Sequence, residues 1–309
     1  MRRSRAAPAT DHAEFADGTG RVRAALSEQQ ARLRSTSARL HAARAADIHD
    51  ARVAARRLRS LLATYRPLLD ERRTRRLRRR LRAFARALSE VREADVRRDM
   101  LLALTMLEPA LASADIRSLR ATLRQSCSKS RRSLRRKVSS QAWASSVRKL
   151  GAEGTRLALG ARRGAGLADV LKLVDRPWRD AAELLERPPR SAAQLHRLRL
   201  ALKHCRYALE SVSSLKATEA ERVLDRLRSV QDSLGEHRDA VQARQWVRTQ
   251  EERLGQAFAR RLDRMLRRHE RTLRAQAVER AARVLPAYAA WRRATRGLRT
   301  VPAATRDPA

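Results

Sequence analysis

Apolar positions recur at intervals of three and four along almost the whole chain, the period of a helix with one buried face. Val22, Ala25, Leu26, Leu33 and Leu40 show it, as do Leu77, Leu81, Phe84, Ala85 and Leu88. No stretch alternates apolar and polar residues over strand length, so the expected fold is all-α. In the first half the pattern and its breaks predict helices over 21–46, 48–69, 71–89, 94–107, 115–139 with Asp115 as N-cap, and 143–159. Gly160, Gly164 and Gly166 mark a break between halves. Helices then follow over 167–186, 195–215, 219–234, 239–254 and 256–285, and a short segment holding Tyr288 and Trp291 closes the domain. Residues 1–20 and 299–309 lack the period and read as loose tails.

One helix pattern occurs twice. His49, Arg52, Arg56 and Arg59 in residues 48–69 answer to His196, Arg199, Lys203 and Arg206 in residues 195–215. Spacings of three, four and three keep each set within about 80° on a helix. Ala51, Ala55, Leu58, Leu62 and Tyr65 answer to Leu198, Leu202, Cys205, Leu209 and Val212, so each copy has a core face and a separate cationic face. Leu88, Glu90, Arg92, Glu93 and Ala94 recur as Leu234, Glu236, Arg238, Asp239 and Ala240. The expectation is two roughly four-helix units, packed about a pseudo-twofold axis into one helical domain.

Charge sharpens this picture. The chain has 309 residues, 71 Lys plus Arg against 33 Asp plus Glu, and a net charge of +38. Such an excess points to a polyanionic partner: nucleic acid, polyphosphate or an anionic surface. Only six of the cations are Lys, and the planar fork of Arg binds two phosphate oxygens at once. The arginines fall in order. Arg75, Arg79, Arg82 and Arg86 share one helix face; Arg117, Arg120, Arg124, Arg131 and Arg135 share another; Arg260, Arg264, Arg267, Arg271 and Arg274 a third. A merely solvated face mixes signs, since like charges at these spacings repel by about 0.2–0.5 kcal/mol a pair. Yet no acid stands between Glu71 and Glu90, or between Asp115 and Glu153.

Other chemistry is sparse. The spacing of a zinc site is absent, as are a phosphate-binding glycine loop, HExxH and a nucleophile elbow. No metal, cofactor or catalytic set is expected. The pairs Glu90/Glu93 and Glu236/Asp239 could be general acids or metal ligands; the favoured reading is that they cap helix junctions and pair with Arg92 and Arg238. His204 and His237 lie off the cationic faces and read as incidental. Cys127 and Cys205 make no disulfide framework, and Cys205 reads as a core residue. Nothing resembles a signal peptide or a membrane span, which leaves a soluble cytoplasmic protein as the default.

The segment HDARVAARRLRSLLATYRPLL, its echo LHRLRLALKHCRYALE and the two LxExR(D/E)A segments resemble the CHAD family, the conserved histidine α-helical domains, over about residues 21–298. In the first copy the pattern stands complete as His49, Arg52, Val53, Arg56, Arg57, Leu58 and Arg59. The second lacks the paired arginine and has Cys205 in place of Leu58, which leaves open whether both halves bind equally. The resemblance implies two pseudo-symmetric four-helix bundles around a basic central groove, non-catalytic binding of inorganic polyphosphate, and association with polyphosphate granules. It would place His49, Arg52, Arg56, Arg57, Arg59, His196, Arg199, Lys203 and Arg206 along the groove. Arg79, Arg82 and Arg86, then Arg120, Arg124 and Arg131, and Arg228, Arg264, Arg267 and Arg271 would extend it. The ExExK motif of the triphosphate-tunnel domains that some members carry is absent.

An RNA- or DNA-binding protein of similar charge is the alternative. Single-strand binders add aromatic platforms for the bases, and aromatics make up 3% of this chain. Duplex binding by shape and phosphate contact survives that argument.

Overall fold

In the computed structural model residues 18–109, 111–159, 165–187, 189 and 191–300 are described. All regular elements among them are helices. In the first half they are α1 (Gly18–Ala38), α2 (Ala45–Thr64), α3 (Glu71–Ala87), α4 (Ser89–Met106), α5 (Ser113–Val138) and α6 (Gln141–Leu159). The second half has α7 (Leu167–Glu186), α8 (Ala192–Glu210), α9 (Ala217–Thr249), the single turn α10 (Glu251–Leu254), α11 (Gln256–Ala281) and α12 (Val284–Ala294).

Two apolar cores form. The larger joins α1, α2, α3, the start of α4, the end of α5, α6, α7, α8, the first half of α9, the end of α11, and α12 around Leu26, Ile48, Leu62, Leu202, Leu209 and Trp291. The second lies farther along α4 and α9, where Leu101 and Leu104, Leu119 and Leu123 of α5, and Ala243 and Val247 pack on Leu262 and Leu266 of α11. The repeated helices α2 and α8 pack on one another in the larger core, and Gln231 of α9 braces α8 by donating to the Leu202 carbonyl at 2.9 Å. Continuing α4 and α9 into the second core carries their middle turns past the α2/α8 pair. A charged space is left between the two cores.

Several boundaries differ from expectation for local reasons. Helix α1 starts at Gly18, inside the expected tail, where a Cβ would fall on the Gly166 carbonyl; only glycine allows this contact between the halves. At the other end Arg299, inside the expected tail, sends Nη1 to Asp175 Oδ2 at 2.6 Å. The expected tails otherwise lie outside the described residues, as do residues 160–164. Asp115 sits in the first turn of α5 while Ala112 takes the cap position. The first half breaks at Leu88, where the Ser89 hydroxyl donates to the Ala85 carbonyl at 3.1 Å, a back-bond of the kind that bends helices. The second half has no such serine: α9 runs unbroken for 33 residues through the expected gap at 235–238. Glu236 and Asp239 therefore lie within a helix, not at a junction.

Candidate anion-binding site

The charged space is a cavity of about 730 Å³. Helices α2 and α8 form its floor. His49 and His196 stand at one end; Arg59 of α2, with Tyr207 and His204 of α8, stands at the other. The walls come from α3 (Arg78, Arg82), α4 (Arg92, Glu93, Val96, Arg97) and α9 (Arg238, Asp239, Gln242, Gln245).

Nine arginines and Lys203 line it against two carboxylates, Glu93 and Asp239. Among the described residues none of the nine guanidinium groups is within 4.0 Å of a carboxylate. Arginines elsewhere are commonly paired, as Arg131 is with buried Asp95 at 2.7 Å. The Nε donors of Arg78, Arg97 and Arg199 are buried with no hydrogen-bond partner, a costly state for a polar group unless an acceptor arrives. Arg52 is steered from behind, its Nη1 donating to Ser89 Oγ at 2.5 Å.

Crowding of like charge shows in the acid–base properties. Burial, then Arg56 and Arg199, hold the Lys203 amine at a pKa of about 6. Burial and Arg56 bring Arg52 and Arg199 down to about 10, still protonated at neutral pH. His49 is lowered by burial and Arg92, and His196 by burial and Arg238. Arg238 Nη1 lies 3.0 Å from His196 Nδ1. Arginine has only donors, so Nδ1 accepts and the ring is neutral with its hydrogen on Nε2. Burial raises Asp239 against the pull of Arg199 and Arg92.

Of the residues singled out from the sequence, the cavity brings together His49, Arg52, Arg56, Arg59, Arg82, His196, Arg199 and Lys203. The others stand apart from it. Arg57 and Arg206 both reach Glu210, at 3.2 and 3.5 Å, and lie near the Tyr207 ring. Arg79 and Arg86 of α3, and Arg120 and Arg124 of α5, are exposed to solvent. Arg228 is held by Glu221 and Asp225 at 2.5 and 2.8 Å. Arg264, Arg267 and Arg271 line a separate cleft.

The cavity also holds residues that sequence reasoning passed over: Arg78, Arg92, Arg97, His204 and Arg238. Arg92 and Arg238 were visible as a repeated pair but were assigned to capping partners. Glu93 and Asp239, expected to pair with them, line the cavity and make no salt bridge among the described residues. His204 is not incidental. No group of three or more His, Cys, Asp or Glu side chains among the described residues could hold a metal, and no described helix is long and apolar enough to cross a membrane.

Comparisons with known proteins agree with this architecture. The crystal structure of the CHAD domain from the plant Ricinus communis superposes with a TM-score of 0.64 at 21% identity, over 92% of this chain and 92% of that one. PptA from Streptomyces chartreusis superposes with a TM-score of 0.62 at 20% identity, over 90% of this chain and 99% of that one. No curated protein matches the chain. The model of the CHAD domain matches residues 24–248, well over half of the sequence, and the chain belongs to the CHAD family.

Proposed function

We propose that the central cavity binds inorganic polyphosphate and does not turn it over. The observation that carries this reading is the set of nine arginines lining the cavity with no salt-bridge partner among the described residues. A linear phosphate chain supplies dense charge and oxygen acceptors, and it would satisfy the orphaned Nε donors. The family, which is related to polyphosphate binding in general, supports the ligand class. A nucleic acid would bring bases, and among the described lining residues Tyr207 is the one Phe, Tyr or Trp side chain; it is 2% exposed and flanked by Arg57 and Arg206. Association with polyphosphate granules would follow from the ligand.

The test is direct competition of labelled long-chain polyphosphate against DNA and RNA at physiological salt, on wild type and on Arg56→Gln/Arg199→Gln. Polyphosphate should win over both nucleic acids. The double variant should weaken its binding at least about 100-fold, since two lost charge-assisted contacts at roughly 1.5–3 kcal/mol each add to roughly 3–6 kcal/mol. Its melting temperature should stay the same or rise, because repulsion is relieved. Orthophosphate release by the wild type, or a double variant that unfolds without a binding defect in its folded fraction, would overturn the reading.

A further inference from the structure

The central cavity does not end at the histidines. Beside His196 stands a cleft of about 230 Å³ that shares His196, Arg199, Arg238, Gln242 and Gln245 with it. That cleft shares Ala192, Leu195, His237 and Val241 with another of about 540 Å³, walled by α11. The three spaces thus share walls in succession, from the α2/α8 floor, past the first turn of α8 and over α9 to α11.

The α11 cleft is strongly cationic. Six arginines line it against one carboxylate, Glu270, which is held by Arg244 Nε at 2.7 Å. Arg267 is paired with Asp263 at 2.6 Å, and Arg274 donates to the Pro189 carbonyl at 3.0 Å. The guanidinium groups of Arg264, Arg268 and Arg271 have no hydrogen bond or ion pair among the described residues. Spaced four and three apart, they form a row of about 10 Å on one face of α11. Between this row and the cavity stands the N-terminus of α8, whose partial positive charge favours a passing anion.

We propose that the Arg264–Arg268–Arg271 row is a second station for the same phosphate chain: a long polyphosphate fills the central cavity, leaves it beside His196 and lies along α11. This rests on the polyphosphate reading of the cavity. A tripolyphosphate can occupy the cavity alone, whereas a long chain held there presents its next phosphates to α11 at high effective concentration. The second station thus makes the protein select for chain length.

The test uses the full chain in titrations with tripolyphosphate and with long-chain polyphosphate, over a salt series. Three proteins are compared with wild type: Arg264→Gln/Arg268→Gln/Arg271→Gln; the cavity variant Arg56→Gln/Arg199→Gln; and Arg117→Gln/Arg120→Gln/Arg124→Gln, which removes three exposed charges of α5. The α11 variant should lose roughly tenfold in long-chain affinity, and its salt slope should fall by about 2, near 0.7 per lost contact. Its tripolyphosphate affinity should change less than twofold, and the α5 variant should bind both ligands like wild type. The cavity variant should lose both ligands. An α11 variant that binds the long chain like wild type overturns the second station and leaves the cavity reading intact. So does an α11 defect matched by the α5 variant, which would show a general charge effect. Wild-type protein that binds neither ligand overturns both.

Discussion

Lys203 sits where a lysine is costly: 8% exposed, facing Arg56, Arg199 and Arg206, with Asp239 as its single offsetting acid. Its pKa of about 6 in the fold lies below the 10.5 of a free lysine. Between these values the unfolded chain binds a proton that the folded chain has given up. Stability therefore rises with pH across that window, and the burial penalises the fold most at its acid end. Urea unfolding at pH 7 and pH 9 should show a wild-type gain, attributable to this group, on the order of 1–3 kcal/mol. Lys203→Met should be the more stable protein at pH 7 and should lack that part of the slope. A bound polyanion reverses the field and restores the ammonium, so binding at pH 8 should take up a proton. Affinity should strengthen as pH falls from about 9 toward 6 and level off below, where Lys203 is already charged without ligand. His196 is the weaker candidate for this proton, because its Nδ1 already accepts from Arg238. Isothermal titration in two buffers of different ionisation enthalpy separates the two: uptake should vanish in Lys203→Met and persist in His49→Gln/His196→Gln. Unchanged uptake in Lys203→Met would mean that the amine is not the linked group. The sequence shows position 203 only as another cation in a stripe. Its lowered pKa comes first from burial, then from Arg56 on α2 and from Arg199 and Arg206 on α8, and no local pattern reveals the burial.

At the scale of elements, the α2 and α8 faces match at five of six cavity positions. His49, Arg52, Val53, Arg56 and Ser60 take the places of His196, Arg199, Leu200, Lys203 and Tyr207. They differ at the sixth: α2 presents Arg59, whereas α8 turns its equivalent, Arg206, away and presents His204. The cause lies one turn on. Arg206 has Glu210 four residues later, 3.5 Å away, a favourable spacing for an ion pair. Arg59 has Ala63 there and stays free for the cavity. Glu210 also captures Arg57 across the helix pair, so one acid withdraws two arginines. Glu210→Gln should release both and tighten long-chain polyphosphate binding a few-fold. It should cost roughly 1 kcal/mol of stability, as expected for two partly buried pairs. Weaker or unchanged binding in a folded Glu210→Gln protein would show that these arginines do not reach the ligand. Much of this level was legible. The three-and-four period located the helices, and the repeat singled out α2 and α8 as a pair with matching cationic faces. The break at Leu88 and its absence from α9 were not, because they turn on the Ser89 back-bond. Arg78 and Arg97 carried no repeat signal, and only packing brings α3 and α4 over the floor.

At the scale of the molecule, two effects of salt oppose each other. A net charge of +38 on 309 residues makes the folded chain repel itself, most strongly where nine arginines face one cavity. Salt screens this repulsion over a Debye length of about 10 Å at 0.1 M and about 3 Å at 1 M. It also weakens the salt bridges, but fully exposed pairs such as Arg32–Glu28 and Arg283–Glu279 are each worth about 0–1 kcal/mol, and the partly buried ones are screened much less. Repulsion has the larger reach, so the melting temperature of the free protein should rise as NaCl goes from about 0.05 to 0.5 M. Polyphosphate affinity should move the other way, because binding releases counterions from the ligand. At about 0.7 per phosphate contact, full engagement of the nine cavity arginines gives a log–log slope near −6. Scanning calorimetry of the free protein and titrations of the complex across one salt series measure both. A melting temperature that falls with salt would show that ion pairs, not repulsion, dominate the free state. An affinity insensitive to salt would show that the cavity recognises something other than a string of charges.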